Sequence, residues 1–577
     1  MKGNKIYATD FDTKIEKVEN AFLSSKWIWV FEGLILLLGL CMFIPSLQNL
    51  AIAFGGKIAG HPLHAESWKN NFNSYALAGI SIVAISIVFY SVWKIGIKEK
   101  NILLYAYVLW CVLAFITICL HEPWRDELNV WRILKQFNMQ EIFHEMRYEG
   151  HFVLWFYVLY PFAKLGFPLF TQAIITFLIA AITAWILFWK SPFNVFSKIA
   201  FAFSAPFLYW YPVFARPYML FALLTIILAC LYEKRREHPC IFGAILGLIT
   251  LTHAYAEGFA GMIWLSVFVS DIVLPWKSLS KKEQKNRTVG AVITIVFTLF
   301  AFAQVAPAFT EAAYNTQRLA GYAQQVGILK SIASFVLSWE MPLIFVPFAA
   351  VIVATIALYL FKVSKNLFLI TLIGGIWMLV FSVRLYGAGV PTRASMWLFI
   401  ILFALWNIRS HAASSLLLLF SLACINFSPM ASDWKKEYSG MKSLSEYIEK
   451  NINKDEKIFL CATNGGKLLS VYLSENNFAR FEDGNENLYE RVKADWGREP
   501  KNANECLSDR FAESGKNTVL VVLPMPQISK TKDMYHLEYK CDVLFENDAS
   551  NVICDEKFYL LKVYNEKPSD SGLELAY

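Results

Sequence analysis

Between residues 27 and 428 the chain is a succession of apolar runs separated by short polar breaks. The runs lie near 27–47, 74–97, 101–120, 168–189, 195–214, 217–232, 240–253, 257–276, 288–308, 343–361, 367–383, 394–408 and 412–428. A helix needs about 20 apolar residues to cross a bilayer, so most of this chain is expected in a membrane as about 13 spans. Composition agrees: 56% of residues are hydrophobic and only 17% charged. Residues 1–26 are polar and charged, predict no cleavable signal peptide, and read as a cytoplasmic segment. The net charge of +7 needs no nucleic-acid partner, because cytoplasmic loops of membrane proteins carry excess Lys and Arg.

The aromatic stretch 151–166 is about 16 residues long and contains Pro161. If it lies in the interface, the loops around Lys94–Lys100, Lys190–Lys198, Glu233–His238, Lys277–Arg287, Lys362–Lys365 and Arg409 all fall on one side. The positive-inside rule makes that side cytoplasmic. If the stretch spans, the clusters at Lys190–Lys198, Lys234–Arg236 and Lys281–Arg287 move outside. The first arrangement is the better one. It puts the 121–150 loop, Arg216, His253, the 309–340 loop, the loop from Arg384 to Arg393 and everything after Phe427 outside the cytoplasm.

Residues 429–577 read as a second, extracytoplasmic unit. An amphipathic helix is expected at Ser443–Ile452 and strands at Lys457–Ala462, Thr518–Leu523 and Phe558–Tyr564, a small α/β pattern. Asn464-Gly-Gly466 is a turn signal and a weak phosphate-loop candidate. The ten cysteines are scattered. Six lie in or beside apolar runs, and Cys461, Cys506, Cys541 and Cys554 could pair with one another in an oxidising compartment. None has zinc-site spacing.

Ionisable groups at a membrane boundary are costly and tend to mark function. The richest cluster follows the run ending at Leu120: His121-Glu-Pro-Trp-Arg-Asp-Glu-Leu-Asn-Val-Trp-Arg132. Leu128, Trp131 and Leu134 give one apolar face to a short interfacial helix, with Asp126 and Glu127 at its start. Acidic residues there also satisfy free N–H groups and the helix dipole, so capping competes with catalysis as their explanation. Arg147, Glu149 and His151 come next around a glycine turn. Arg216 and Tyr218 lie in Phe214-Ala-Arg-Pro-Tyr218. His253 and Glu257 lie in Thr252-His-Ala-Tyr-Ala-Glu257. Arg318, Arg384 and Arg393 add outer positive charge. Each has a bland reading: interfacial anchoring for His151, snorkelling for Arg216. Together they describe a site for an anionic, lipid-linked substrate. A carboxylate can take a proton from an acceptor hydroxyl, and guanidinium groups offer forked donors to a phosphate. No phosphate-binding glycine loop, Ser-His-Asp spacing or metal-ligand signature is present.

At these residues the chain resembles the GT-C superfamily of integral-membrane glycosyltransferases, which includes protein O-mannosyltransferases and aminoarabinose transferases. The resemblance rests on Trp124-Arg-Asp-Glu127, Glu149-Gly-His151 and Ala215-Arg-Pro-Tyr218, and covers roughly residues 100–400. It implies a polytopic helical body with an outer soluble unit, a polyprenyl-phosphate sugar donor, an extracytoplasmic acceptor and in some members a divalent metal. It also implies a catalytic base at Asp126, with Glu127 as the alternative. A lipid-linked-glycan transporter or assembly partner, which would also gather arginines around a lipid phosphate, is the rival class. A coupled-ion transporter fits less well, since the spans carry few mid-membrane carboxylates and no paired broken helices.

Overall fold

The computed structural model describes chiefly residues 43–59, 98–148, 151–309, 346–381, 391–460, 503–524, 537–548, 550–554 and 556–566, with isolated positions elsewhere. Glu149, Arg318, Arg384, Asn464–Gly466 and Cys461, and most of the runs 27–47 and 74–97, lie outside the described residues, as does the 310–340 loop.

Among the described residues four helices are long and apolar enough to cross a membrane: Glu99–Leu120, Thr171–Lys190, Ala254–Val273 and Lys281–Pro307. Shorter apolar helices accompany them, including Tyr218–Leu231, Pro239–Thr250, Lys365–Phe381 and His411–Ala423. The elements that build the site are α1 (Glu99–Leu120), α2 (Arg125–Gln136), α3 (Leu154–Lys164), α4 (Tyr218–Leu231), α5 (Pro239–Thr250), α6 (Glu257–Val267) and α7 (Lys281–Phe309).

The run 195–214 is not one helix. It is helical over Val195–Ala202, widens into a π turn at Pro206–Trp210 and closes with a single turn at Tyr211–Val213. Pro206 and Pro212 each remove a backbone donor, which breaks the regular ladder. The loosened segment is lined by buried rings, with Tyr211 stacked on Phe399 at 4.9 Å. The aromatic stretch after His151 is the 11-residue α3 with Pro161 inside it, well short of a span. Helices α5 and α7 approach so closely that a Cβ on Gly243 or Gly290 would run into the other helix's backbone, the small-residue contact that lets membrane helices pack by van der Waals forces.

After the last apolar helix the chain forms a helix at Met441–Asn451 and a five-stranded sheet. Its strands are β1 (Ile458–Leu460), β2 (Phe481–Glu482), β3 (Thr518–Pro524), β4 (Cys541–Glu546) and β5 (Phe558–Tyr564), in the order β2-β1-β3-β5-β4. β1 runs parallel to β2 and β3, while β5 is antiparallel to β3 and β4. The central strands are apolar on both faces: Val521, Val522, Leu560 and Leu561 are all fully buried, as a sheet covered on two sides requires. Cys541 is in no disulfide among the described residues. This unit rests on the acidic loop. Tyr472 donates to the Pro123 carbonyl at 2.8 Å, Lys442 pairs with Glu122 at 3.3 Å, and the Arg125 N–H donates to both oxygens of Glu556 at 3.1 Å.

Candidate active site

Helix α2 forms because Leu128, Trp131 and Leu134 share one face, and all three are buried. That fixes the two acidic residues at its first turn on opposite courses. Glu127 points inward and its side chain is 1% exposed. One oxygen accepts from the Ala215 N–H at 2.7 Å; the other accepts from the Trp124 N–H at 3.3 Å and from His121 Nε2 at 3.1 Å. Glu127 therefore caps its own helix and also ties it to the loop before α4.

His121 continues the chain of contacts. Its Nδ1 donates to Asp433 at 2.8 Å, and the Tyr209 hydroxyl donates to the same oxygen at 3.1 Å. Burial alone would push the imidazole's pKa down, but the carboxylates of Asp433 and Glu127 outweigh it and raise it to about 10. A doubly protonated ring donating to two carboxylates satisfies both of its nitrogens.

Asp126 faces the other way, with 27% of its side chain exposed. Arg216 holds it from two directions: Nη1 donates to the Asp126 carbonyl at 2.8 Å, and Nη2 lies 3.4 Å from the carboxylate. The same Nη2 hydrogen-bonds His151 Nε2. A guanidinium only donates, so Nε2 is the accepting nitrogen and the ring proton sits on Nδ1. That Nδ1 is buried without a partner among the described residues.

His151 and His253 meet in an antiparallel bridge between two distant segments, their rings 4.5 Å apart and perpendicular. Tyr218 stacks on His253 at 5.6 Å and meets His151 edge-on at 5.7 Å. Arg393 hydrogen-bonds Tyr218, and its charge reaches Asp126 and both imidazoles. Burial first, and then the neighbouring guanidinium groups of Arg216 and Arg393, hold His151 and His253 well below the usual histidine range. Both rings are uncharged near neutral pH.

The structure thus brings together Asp126, Arg216, His151, Tyr218, His253 and Arg393, drawn from five separate stretches of sequence. Glu127 sits behind them. Arg147 turns back to donate to the His144 carbonyl at 3.1 Å. Glu257 opens α6 and has no hydrogen-bond or ion-pair partner among the described residues. Glu149 and Arg384 lie outside the described residues.

Three supporting residues were not singled out by sequence reasoning. Asp433 lies 312 positions from His121, and nothing local marks it. Gln304 is a buried polar residue in an apolar run, a signal that was there to read. It accepts from the Val153 N–H at 3.2 Å and donates to the carbonyls of Met146 and His151 at 3.0 and 3.4 Å, pinning the turn that carries His151. Trp155 donates to the Ala215 carbonyl at 3.1 Å, so both backbone groups of Ala215 are held and Arg216 is aimed.

A divalent metal does not fit these side chains. Among the described residues no three His, Cys, Asp or Glu cluster as ligands. His151 and His253 have Nε2 and Nδ1, respectively, already accepting from the protein, and two guanidinium groups flank them.

No family model matches the chain, and no curated protein matches it. Among solved structures the chain is similar to the crystal structure of ArnT from Cupriavidus metallidurans bound to undecaprenyl phosphate, with 12% sequence identity, a TM-score of 0.48, and coverage of 81% of this chain and 98% of that one.

Proposed function

We propose that the protein is a membrane glycosyltransferase that moves a sugar from a polyprenyl-phosphate donor to an extracytoplasmic acceptor. The observation that carries this reading is the division of labour between two adjacent carboxylates. Glu127 is sealed in hydrogen bonds, whereas Asp126 is accessible and lies against a guanidinium. In the proposed reaction Asp126 takes the proton of the acceptor hydroxyl. The acceptor oxygen bonds to the anomeric carbon, and the bond from that carbon to the phosphate oxygen breaks, leaving polyprenyl phosphate. Arg216, with Arg393 and Arg384, meets the charge that develops on the leaving phosphate. Uncharged His151 and His253 with Tyr218 form the wall that orients the sugar. In this reading, which the positive-inside rule supports, the site and residues 429–577 lie outside the cytoplasm, residues 1–26 inside, and residues 27–428 form the catalytic body in and around the bilayer.

The test is Asp126→Asn in the full-length protein, reconstituted with polyprenyl-phosphate hexoses and pentoses and followed by release of polyprenyl phosphate. A general base contributes about 10²–10⁴-fold to rate, and a loss of that size with an unchanged melting temperature is the expected outcome. Full activity in the variant would overturn the base assignment. Donor binding by the wild type without any transfer would favour the rival transporter class.

A further inference from the structure

At the far end of the same helices lies a second charged cleft that the proposed reaction does not use. Arg287 on α7 precedes Gln304 by 17 positions, about 25 Å along a helix at 1.5 Å per residue. The cleft is lined by Arg235, Arg236, Asp271 and Arg287, with Trp264 and Phe268 as its wall; those two rings stack at 4.9 Å.

One residue, Asp271, serves three guanidinium groups, two through its carboxylate and one through its backbone carbonyl. Asp271 accepts from Arg235 Nε at 2.7 Å and Arg236 Nη2 at 2.7 Å, and its backbone carbonyl accepts from Arg287 Nη1 at 2.7 Å. Arg287 also pairs with Glu283 at 3.3 Å. Counting both carboxylates, the cluster keeps an excess positive charge. Two donors are left over. Arg287 Nε is buried with no partner among the described residues, on a side chain only 10% exposed. Arg236 uses Nε and Nη2 but has no partner for Nη1 among the described residues, and its side chain is 47% exposed.

An unpaired guanidinium N–H buried in protein is costly unless a ligand supplies an acceptor. The cleft leaves about 30 Å³ of free space, so it admits a small group such as a phosphate oxygen and not a whole headgroup. A larger anionic group would rest in the mouth against Arg236. The helix faces beside it are apolar and exposed: Val269 40%, Val273 50% and Leu274 77%, the surface a lipid's acyl chains would cover. The positive-inside rule puts this end at the cytoplasmic leaflet, where anionic lipids concentrate.

We infer that Arg235, Arg236 and Arg287 form a binding site for the phosphate of an anionic phospholipid headgroup, distinct from the candidate active site. The site holds one phosphate oxygen toward Arg287 Nε and the rest of the headgroup against Arg236. Asp271 orients the arginines and sets the affinity by cancelling part of their charge.

Native mass spectrometry of the detergent-solubilised full-length protein, titrated with phosphatidylglycerol, phosphatidylcholine or inorganic phosphate, tests this. Phosphatidylglycerol is expected to bind in preference to phosphatidylcholine, and Arg236→Gln, at a half-exposed position, to weaken it about fivefold. Asp271→Asn, if it folds, is expected to tighten it. Displacement of the lipid by millimolar inorganic phosphate would support the anion site and assign it to free phosphate. Equal binding of the two lipids, or no effect of Arg236→Gln, would overturn the inference and leave the arginines as partners of Asp271 alone.

Discussion

Asp126 and Glu127 are neighbours in sequence and opposites in the structure. Around Glu127 the pairing is dense: both Glu127 oxygens and both nitrogens of protonated His121 are hydrogen-bonded, and Asp433 Oδ2 accepts from His121 and Tyr209, although Asp433 Oδ1 is buried with no partner among the described residues. Around Asp126 the groups are aimed but not exhausted. Arg216 divides its donors between the Asp126 backbone, its carboxylate and His151, and the buried His151 Nδ1 has no partner among the described residues. A densely paired and sealed network fixes geometry, whereas an unpaired group beside an accessible carboxylate can serve a ligand. The contrast extends to charge. His121 is pulled up by two carboxylates, while His151 and His253 are pushed down by burial and two arginines. Near neutral pH the locked histidine is a cation and the site histidines are not.

The sharpest way to break this contrast is to exchange the fates of the two carboxylates. Asp126→Asn should remove activity and spare stability, as above; Glu127→Ala should do the reverse. Removing one partner of a buried charge pair costs about 3–5 kcal/mol, so Glu127→Ala should lower the midpoint of denaturant unfolding, while the folded protein keeps most of its activity and loses only what a slackened Arg216 costs, far less than Asp126→Asn removes. If Glu127→Ala abolished transfer while leaving the midpoint unmoved, the assignment of roles would be inverted.

A smaller effect is expected from Gln304→Leu. It orphans the Val153 N–H and the Met146 carbonyl, and an unsatisfied buried group costs about 1–3 kcal/mol. The turn bearing His151 should loosen, which hydrogen exchange at Val153 would report as lost protection. Unchanged exchange there would show that other contacts hold the turn.

The gentlest probe is pH. His121 has a folded pKa above its ordinary value of 6.5, so its contribution is fully present below 6.5 and is lost as pH rises toward about 10. His151 and His253 have folded values below 6.5, so the unfolded chain takes up protons first and their contribution is lost as pH falls below 6.5. Unfolding midpoints should therefore decline on both sides of neutrality. Replacing His121 with Gln should flatten the alkaline limb only, and an unaltered alkaline limb would count against a protonated His121.

Much of this arrangement was legible in the chain. Hydrophobic period and length marked the long apolar helices, α2 and the strands near Ile458, Thr518 and Phe558, because burial of one face or of a whole segment leaves a repeating pattern. Charge at membrane boundaries drew attention to Asp126, Arg216, His151 and His253, because ionisable groups there need a reason. The broken run after Val195 was harder: its composition reads as a span, and only the positions of Pro206 and Pro212 hint at the π turn.

What the sequence determined by itself was which segments are apolar and which polar residues stand at their ends. Those are local properties, set by transfer free energy residue by residue. Which of two adjacent carboxylates is sealed and which is accessible depended on partners far along the chain: Asp433, Ala215 and Arg216. No local pattern encodes that choice. It follows from where α2 packs against the loop before α4, and a rotation of one residue along a helix is enough to turn a side chain from the interior to the site.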